Sequence, residues 1–397
     1  MKCFFRSFDA GIGDCNIIRL VKDEGEQYVI MVDCGKYTAP LKDYLQNILN
    51  NHIDLLIVTH IDEDHIQGIT AMLKRHNNLT IGKIWYNCYR RIEYAEHIEL
   101  NEQQKTILKQ IQNALPVEFD SINYREISAP QGKSLAKVIL EKEELKSAWE
   151  TTYITCDTED FYIPGGFGKI IFLAPKQDAL ITIENKFKDA FDKYFMQAWN
   201  ESIENSEELQ ELLIRLVDSY RNKFECKQIA AREREIYDAT FVRNQANEED
   251  ADDSDTNYSS IAFMLECGKH KIAMLGDAFA STIEETIDSK YKDCTKPLEC
   301  DAIKVSHHGS NGNNSKALFD RINSHIYFIP GGKGEQYPTW GTFGRIAETH
   351  KDEQPKLIVF SRKCENTKKM NELNEGTKQD LGIKTIITEQ EYELFEW

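Results

Sequence analysis

The feature that most constrains this chain is an apolar run, Leu55–Val58, followed directly by Thr59-His60-Ile61-Asp62-Glu63-Asp64-His65. Such a run is typical of a strand that is buried on both faces of a sheet. Two histidines and two aspartates then fall within six residues, and the carboxylates would repel each other without a cation. The spacing therefore predicts a metal site at the end of a buried strand. A polar turn with a helix N-cap at Asp62 or Asp64 is the structural alternative.

Two motifs in the last third of the chain place similar side chains after predicted strands. Leu275-Gly276-Asp277-Ala278 ends one strand, and Val305-Ser306-His307-His308-Gly309-Ser310 ends another. A Gly-Asp turn alone is common in loops. However, four of the ten histidines fall in the His60–His65 and His307–His308 motifs, so the three motifs together favour a metal site over unrelated turns.

Three acidic features elsewhere have less specific interpretations. Asp33 follows a hydrophobic strand, where its carboxylate can orient a metal-ligand loop or simply cap a turn. Gly11-Ile12-Gly13-Asp14 is predicted as a tight turn, and no helix follows it as a phosphate-binding loop would require. The tract Glu248–Asp255 is predicted as a solvated loop.

The pattern of elements divides the chain into three parts. Residues 1–95 and 256–397 are rich in short strands between glycine-containing turns. Residues 96–255 have mainly helical spacing, with one buried strand near 169–175. We therefore predict a β-rich sandwich in two halves with a helical insertion between them. One helix is predicted over Leu41–Asn50 and another from near Ile66. The predicted strands outside the insertion are Lys2–Phe8, Asn16–Val21, Tyr28–Val32, Leu55–Val58, Ile84–Asn87, Ser260–Glu266, Lys271–Leu275, Ala302–Val305, His325–Ile329, Lys356–Phe360 and Lys384–Thr388.

Composition excludes several classes of protein. No run approaches the ~20 apolar residues of a membrane span, and no secretory signal is predicted. Ten cysteines without a CxxC pair favour reduced thiols, so we expect a cytoplasmic protein without a membrane partner. A net charge of −18 argues against coating nucleic acid by charge alone. A polyanionic substrate would have to be neutralised locally.

Taken in order, Asp33-Cys34-Gly35, Thr59–Gly68, Gly276-Asp277 and Ser306–Ser310 closely resemble the metallo-β-lactamase fold hydrolases. In particular, they resemble the hydrolase domain of the ComEC competence proteins, over roughly 1–90, 165–178 and 255–397. The resemblance implies a four-layer αββα sandwich, of the α/β (α+β) class, with a two-metal centre at its edge.

The resemblance also implies roles for the motif residues. The implied metal ligands are His60 and Asp62 for one ion, Asp64 and His65 for the other, Asp277 as a bridge and His307 to complete the second site. His308 would orient the substrate or protonate a leaving group, although the sequence leaves open which of His307 and His308 binds metal. The predicted catalytic residues are Asp64, Asp277 and His308.

Other positions would support this centre. Asp33 and Asn257 would orient the metal ligands without binding metal themselves. The zinc-binding members of the family have His where Asp62 stands, and this harder oxygen ligand favours Mn²⁺, Mg²⁺ or a mixed centre that includes Zn²⁺. Lys304, Arg362 and the cluster Tyr89-Arg90-Arg91 are candidate phosphate contacts, with a solvated surface charge as the alternative for each.

These features predict a metal-dependent phosphodiesterase, a nuclease acting on DNA or RNA through a metal-activated water. Two alternatives stay open. One is hydrolysis of a small phosphoester, of the cyclic nucleotide or phosphocholine type, in the same site. The other is a partner-docking protein of a multi-component system such as phage defence, which would use the helical excursion near residues 178–250.

Overall fold

The computed structural model describes residues 1–87, 135–136, 138–183, 237–248, 250–332, 336–349, 354–388 and 395–397. One compact unit comprises Met1–Leu180 and Asp238–Trp397. The cluster Tyr89-Arg90-Arg91 and most of the predicted insertion lie outside the described residues. Among the residues that are described, no helix combines the length and the apolar character needed to cross a membrane.

The first sheet has six strands in the order β16-β1-β2-β3-β4-β5. Their bounds are β1 Lys2–Ser7, β2 Asn16–Val21, β3 Gln27–Val32, β4 His52–Val58, β5 Thr80–Tyr86 and β16 Phe395–Glu396. The pairs from β16 to β3 are antiparallel, whereas β3, β4 and β5 are parallel. Strand β4 therefore lies between two parallel neighbours, as its continuous apolar sequence requires.

The second sheet has eight strands in the order β15-β14-β13-β11-β9-β8-β7-β6. Their bounds are β6 Phe161–Ile163, β7 Gly168–Ala174, β8 Ala262–Cys267, β9 His270–Met274, β11 Ala302–Lys304, β13 Ile326–Ile329, β14 Lys356–Phe360 and β15 Ile383–Ile387. Strands β9 to β15 are parallel and β6 to β9 are antiparallel. A separate parallel pair joins β10, Leu298–Cys300, to β12, Ile322–Ser324.

The two sheets pack face to face around one apolar core. The Phe5 and Phe328 rings, from opposite sheets, have centroids 4.2 Å apart, and Trp85 packs against Phe172 at 5.2 Å. Alternate residues such as Met31 and Leu56, which face away from this core, are also fully buried. Because both faces of each pleated strand are covered, helices must form the outer layers.

The described helices have the following bounds: α1 Ala39–Asn47, α2 Glu63–Arg75, α3 Glu143–Ala148, α4 Ala239–Gln245, α5 Asp255–Tyr258, α6 Ala280–Lys290, α7 Lys316–Phe319, α8 Trp340–Glu348, α9 Glu365–Asn371 and α10 Glu375–Leu381. The predicted sandwich class is confirmed. The helix expected near Ile66 begins three residues earlier, at Glu63. The short pair β10–β12 was not predicted, because three-residue segments carry little periodicity.

Candidate metal centre

Chain segments from both sheets meet at one edge of the sandwich. The metal-ligand loop leaves β4 at Thr59, and Asp277 follows β9. The backbone N–H of Ile261 donates to the carbonyl of Thr59 at 2.9 Å, and the N–H of Asp277 donates to Ser260 Oγ at 2.9 Å. The first bond crosses the sandwich and the second lies within the second sheet, so residues 260–261 link the two loops.

Helix α2 begins inside the His60–His65 motif. Asp62 occupies the N-cap position, but its carboxylate makes no capping hydrogen bond, so capping does not explain this residue. Asp64 and His65 lie in the first turn. A Cβ atom on Gly13 would lie only 1.6 Å from the carbonyl oxygen of Asp64. Glycine is therefore required where the N-terminal turn packs on this helix.

Asp277 is the point on which the histidines converge. Its Oδ2 atom lies 3.3 Å from His65 Nε2, 3.7 Å from His308 Nε2 and 4.0 Å from His307 Nε2. Asp64 Oδ2 lies 3.0 Å from His308 Nε2. On the other side, His60 Nε2 lies 3.5 Å from Asp62 Oδ2. The structure thus brings together all the side chains that the resemblance implies as ligands.

His60 and His65 are fixed through their Nδ1 atoms. His65 Nδ1 lies 2.8 Å from Asp33 Oδ2, and Asp33 also accepts from the N–H and hydroxyl of Thr59 at 2.8 and 2.7 Å. His60 Nδ1 lies 3.0 Å from Thr59 Oγ1. Asp33 holds a left-handed φ of 59° that non-glycine residues rarely adopt. Both Nε2 atoms are therefore presented to the centre.

His307 and His308 occupy a strained 3₁₀ turn, with φ angles of 43° and 49°. The His308 side chain is 4% exposed and approaches Asp64, whereas the His307 side chain is 17% exposed and lies farther out. This geometry favours the reverse of the implied assignment. His308 is the inner candidate ligand, and the His307 ring is the more exposed of the two.

Buried opposite charges dominate the electrostatics of the centre. Burial opposes the protonation of His65 and His308, but the surrounding carboxylates, Asp277 foremost, outweigh burial and raise both pKa values, that of His308 to about 10. Burial alone would raise the pKa of Asp277, but His65, His308 and Lys304 hold it well below its usual range. Protons thus balance the carboxylates where divalent cations would otherwise do so.

Unsatisfied polar atoms test whether a metal fits. His60 Nε2 and His65 Nε2 are buried without a hydrogen-bond partner, a costly state unless another group binds them. Three sets of donor atoms, all of which include His65, lie close enough together to hold an ion: His60, His65 and Asp277; Asp64, His65 and His308; and Asp14, Asp33 and His65. Imidazole nitrogens and carboxylate oxygens are the usual donors for Mn²⁺ and Zn²⁺. The residues fit divalent metal.

Lys304 contradicts its interpretation as a phosphate contact. Its side chain is 1% exposed, its Nζ donates to the Gly276 carbonyl at 2.7 Å, and it pairs with Asp14 and, at 3.6 Å, with Asp277. A buried ammonium with these partners cannot meet a substrate. Asp14, predicted only as part of a turn, is buried between Lys304 and His308, 3.1 Å from His308 Nδ1.

The acidic tract also differs from its prediction. Asp252 was expected in a solvated loop, but its side chain is only 10% exposed and lies 3.3 Å from His307 Nδ1. Asn257 Nδ2 donates to Asp252 at 2.7 Å and lies 3.2 Å from His307 Nδ1. Asn257 therefore contacts the Nδ1 side of the His307 ring. Arg362 is half-buried, and its Nη1 donates to the Gly332 carbonyl at 3.1 Å.

Metal content provides a direct test of this centre. Protein purified without chelator is expected to contain about two equivalents of divalent metal, because His60 and Asp62 pair on one side of the centre and Asp64 and His308 pair on the other. Asp64→Ala should lose about one equivalent, since it removes a carboxylate from one set only. Elemental analysis with circular dichroism checks this, and a folded wild-type protein that binds no added metal would contradict it.

The support of His65 by Asp33 gives a second test. Asp33→Asn is expected to weaken metal binding about 10- to 100-fold, because the amide cannot hold the His65 N–H as a carboxylate does. Titration calorimetry measures the affinity. Asp54→Asn is a matched control, since Asp54 also accepts a backbone N–H, that of Val29 at 2.8 Å, and lies beside a histidine, His52, but away from the centre. An equal loss in both variants would contradict the role of Asp33.

Comparison with known proteins agrees with this geometry. Residues 9–103 match the metallo-beta-lactamase superfamily. Similar solved structures include the metallo-beta-lactamase fold protein YhfI from Bacillus subtilis, at 8% identity and a TM-score of 0.36 over 100% of both chains. A mutant of CmlA beta-hydroxylase matches at 9% identity and 0.37, over 100% of this chain and 53% of the other. A new diphosphatase from the PhnP family matches at 10% and 0.37, over 100% and 98%. No curated protein matches the chain.

The structural likenesses, with TM-scores this low, carry no functional argument. The superfamily match is more informative, because residues 9–103 include Asp14, Asp33 and the whole His60–His65 motif. Members of this superfamily are mostly hydrolases that depend on divalent metal. The resemblance to the ComEC competence proteins stays a prediction. The superfamily match, the two packed sheets and the His/Asp centre at their edge together show that this chain has the metallo-β-lactamase fold.

Proposed function

We propose that the protein is a metal-dependent phosphodiesterase that cleaves nucleic acid strands. The observation that carries the proposal is the donor set, in which three aspartates, Asp62, Asp64 and Asp277, accompany inward-facing imidazole nitrogens. Hard carboxylate oxygens favour Mn²⁺ or Mg²⁺, which are the metals suited to phosphoryl oxygens. Metal bound here neutralises phosphate locally, as a chain of net charge −18 requires.

The protein's own residues prepare the site for such a reaction. Bound divalent metal would supply an activated water and stabilise charge on the phosphoryl oxygens. Asp277 is held from behind by Lys304, 3.6 Å from its Oδ1, so that its Oδ2 faces the histidines. His307 Nε2, on the more exposed ring, is the atom best placed to meet a leaving oxygen. Asp33 and Thr59 keep the inner histidines from rotating.

Two residues near His308 support a nucleotide-like substrate. The half-buried Tyr337 ring lies 4.9 Å from the ring of His307 and 6.4 Å from that of His308, centroid to centroid, and can stack on a base. Arg362 lies over the Gly331-Gly332 turn, where a Cβ on Gly331 would be 2.8 Å from His308 Nδ1. Among the described residues Arg362 forms no ion pair, so its guanidinium can bind phosphate.

The burial of Lys304 also favours a second candidate, a small phosphodiester. Lys304 and Arg362 were the two single residues predicted to contact phosphate. Because Lys304 is buried, Arg362 is left as the candidate phosphate contact among the described residues. A polymer needs several phosphate contacts along its length, whereas a small diester needs one. Both substrates would use the same donor set and the same reaction.

A substrate panel tests the proposal. Metal-free protein is reloaded separately with Mn²⁺, Mg²⁺ or Zn²⁺ and assayed on single- and double-stranded DNA, RNA, cyclic dinucleotides and bis-p-nitrophenyl phosphate. Cleavage of DNA or RNA with Mn²⁺ or Mg²⁺ is the expected result. Activity on small diesters alone would establish the second candidate. Metal-loaded protein that cleaves none of them would refute both, and partner docking would become the leading hypothesis.

A further inference from the structure

The acidic segment at residues 252–257 makes contacts at both ends of the metal centre. Thr256 Oγ1 donates to Asp62 Oδ2 at 3.1 Å, and Asp252 Oδ2 lies 3.3 Å from His307 Nδ1. No motif predicted either contact, since the tract resembles a solvated loop in sequence. Residues 252–255 end the predicted insertion of 96–255, and residues 256–257 begin the predicted second half of the sandwich.

Asp252 determines how the amides around His307 are oriented. Its Oδ2 accepts from Asn257 Nδ2 at 2.7 Å and from Asn313 Nδ2 at 2.8 Å. With its amide nitrogen on Asp252, and also on the Asp277 carbonyl at 3.0 Å, Asn313 turns its Oδ1 to His307 Nδ1 at 3.0 Å. An oxygen in that place accepts the Nδ1 proton, which leaves Nε2 free to face Asp277.

A buried arginine ties the chain just before the segment to the loop that follows His307. Arg345, which is 5% exposed, donates to the carbonyls of Asn311 and Asn314 at 2.8 and 2.7 Å on the His307 side. It also donates to Ala246 at 3.1 Å, and to Glu248, on the segment side. A Cβ on Gly312 would lie 2.6 Å from the backbone nitrogen of Asp252, so the two stretches of backbone are in direct contact.

We propose that Asp252, Thr256 and Asn257 are working parts of the metal centre, with Asp252 as the positioning residue that fixes the ring orientation and tautomer of His307. Asp252 acts directly, 3.3 Å from His307 Nδ1, and through the amide of Asn313, and it does not itself bind metal. The expected loss of activity rests on the proposed hydrolase function, whereas the expected effect on the orientation of the His307 imidazole does not. Replacing a residue that orients the histidines of a metal site typically costs about 10- to 100-fold in activity.

The test compares Asp252→Asn with Asp253→Asn, which removes the same charge from the next, exposed residue. In protein loaded with diamagnetic Mg²⁺ and labelled with ¹⁵N-histidine, the His307 ring signal is assigned by its loss in His307→Ala. Asp252→Asn is expected to shift the protonated nitrogen of His307 and to lower kcat on bis-p-nitrophenyl phosphate about 10- to 100-fold. Metal content is expected to stay unchanged, and Asp253→Asn is expected to match wild type.

Two further variants keep the proposal falsifiable. Asp252→Asn in a His307→Ala background should change kcat less than twofold, because residues that act as one unit are not additive. Asp252→Glu keeps the charge but displaces the carboxylate, so it should reproduce the ring shift even where the asparagine variant folds poorly. An unchanged His307 signal in both variants, or full additivity with His307→Ala, would overturn the proposal. If wild type hydrolyses no phosphoester, the NMR result still decides the role of Asp252.

Discussion

Replacing Asp277 with asparagine is expected to reduce phosphodiester hydrolysis by at least ~10³-fold. The carboxylate faces three imidazole nitrogens within 4.0 Å, and its other oxygen faces Lys304. Asparagine preserves the shape of the side chain but removes the charge that binds metal, and its NH₂ group would face either the histidines or the ammonium of Lys304. Metal content, measured on the same samples, should fall together with the rate.

Asp301→Asn is the matched control for this prediction. Asp301 precedes β11 at the opposite end of the same sheet, where it accepts the N–H of Lys271 at 2.8 Å and lies 2.9 Å from His270 Nδ1. Its loss removes the same charge and one histidine contact from the same strands. Wild-type rates are expected for Asp301→Asn. Near wild-type rates for Asp277→Asn, with metal retained, would refute the central role of Asp277.

The parts of this molecule that were predictable are those with local signals in the sequence. Strand β4 is predicted by its continuous apolar residues. Loop residues from neighbouring parallel strands lie together at the ends of those strands. The Asp62 and Asp64 carboxylates are costly neighbours without a cation, so their spacing predicts a metal site at this place. Strand β2 was predicted with its exact bounds, because the turns on both sides of it contain glycine and aspartate.

The unpredicted parts depend on contacts between distant segments. Lys304 was expected at a surface because lysine is rarely buried, but Asp14, 290 residues earlier in the chain, pairs with it across the sandwich. Asp252 was expected in solvent because its neighbours are acidic. The sequence around Lys304 and around Asp252 does not indicate the distant residue that each of them contacts. One signal was available in retrospect. Gly13, beside Asp14, permits a close approach to the backbone of Asp64 that no other residue would allow.

The buried pair of Asp14 and Lys304 leads to an expectation about stability. In excess chelator, Lys304→Met should lower the free energy of unfolding by about 3–5 kcal/mol, because it leaves the Asp14 carboxylate, 1% exposed, without its ammonium partner. Asp277 would lose a cation at 3.6 Å as well. Urea denaturation followed by circular dichroism measures the change, and the chelator prevents bound metal from masking it.

The double variant Asp14→Asn/Lys304→Met separates charge compensation from packing. Replacing both members of a buried ion pair by neutral groups is often close to neutral, whereas removing one member is not. We therefore expect the double variant to recover most of the stability lost in Lys304→Met. Its metal affinity should stay impaired, because His308 Nδ1 loses the carboxylate at 3.1 Å and Asp277 loses its anchor. A double variant as unstable as Lys304→Met would mean that the lysine stem, rather than the paired charge, stabilises this edge of the sandwich.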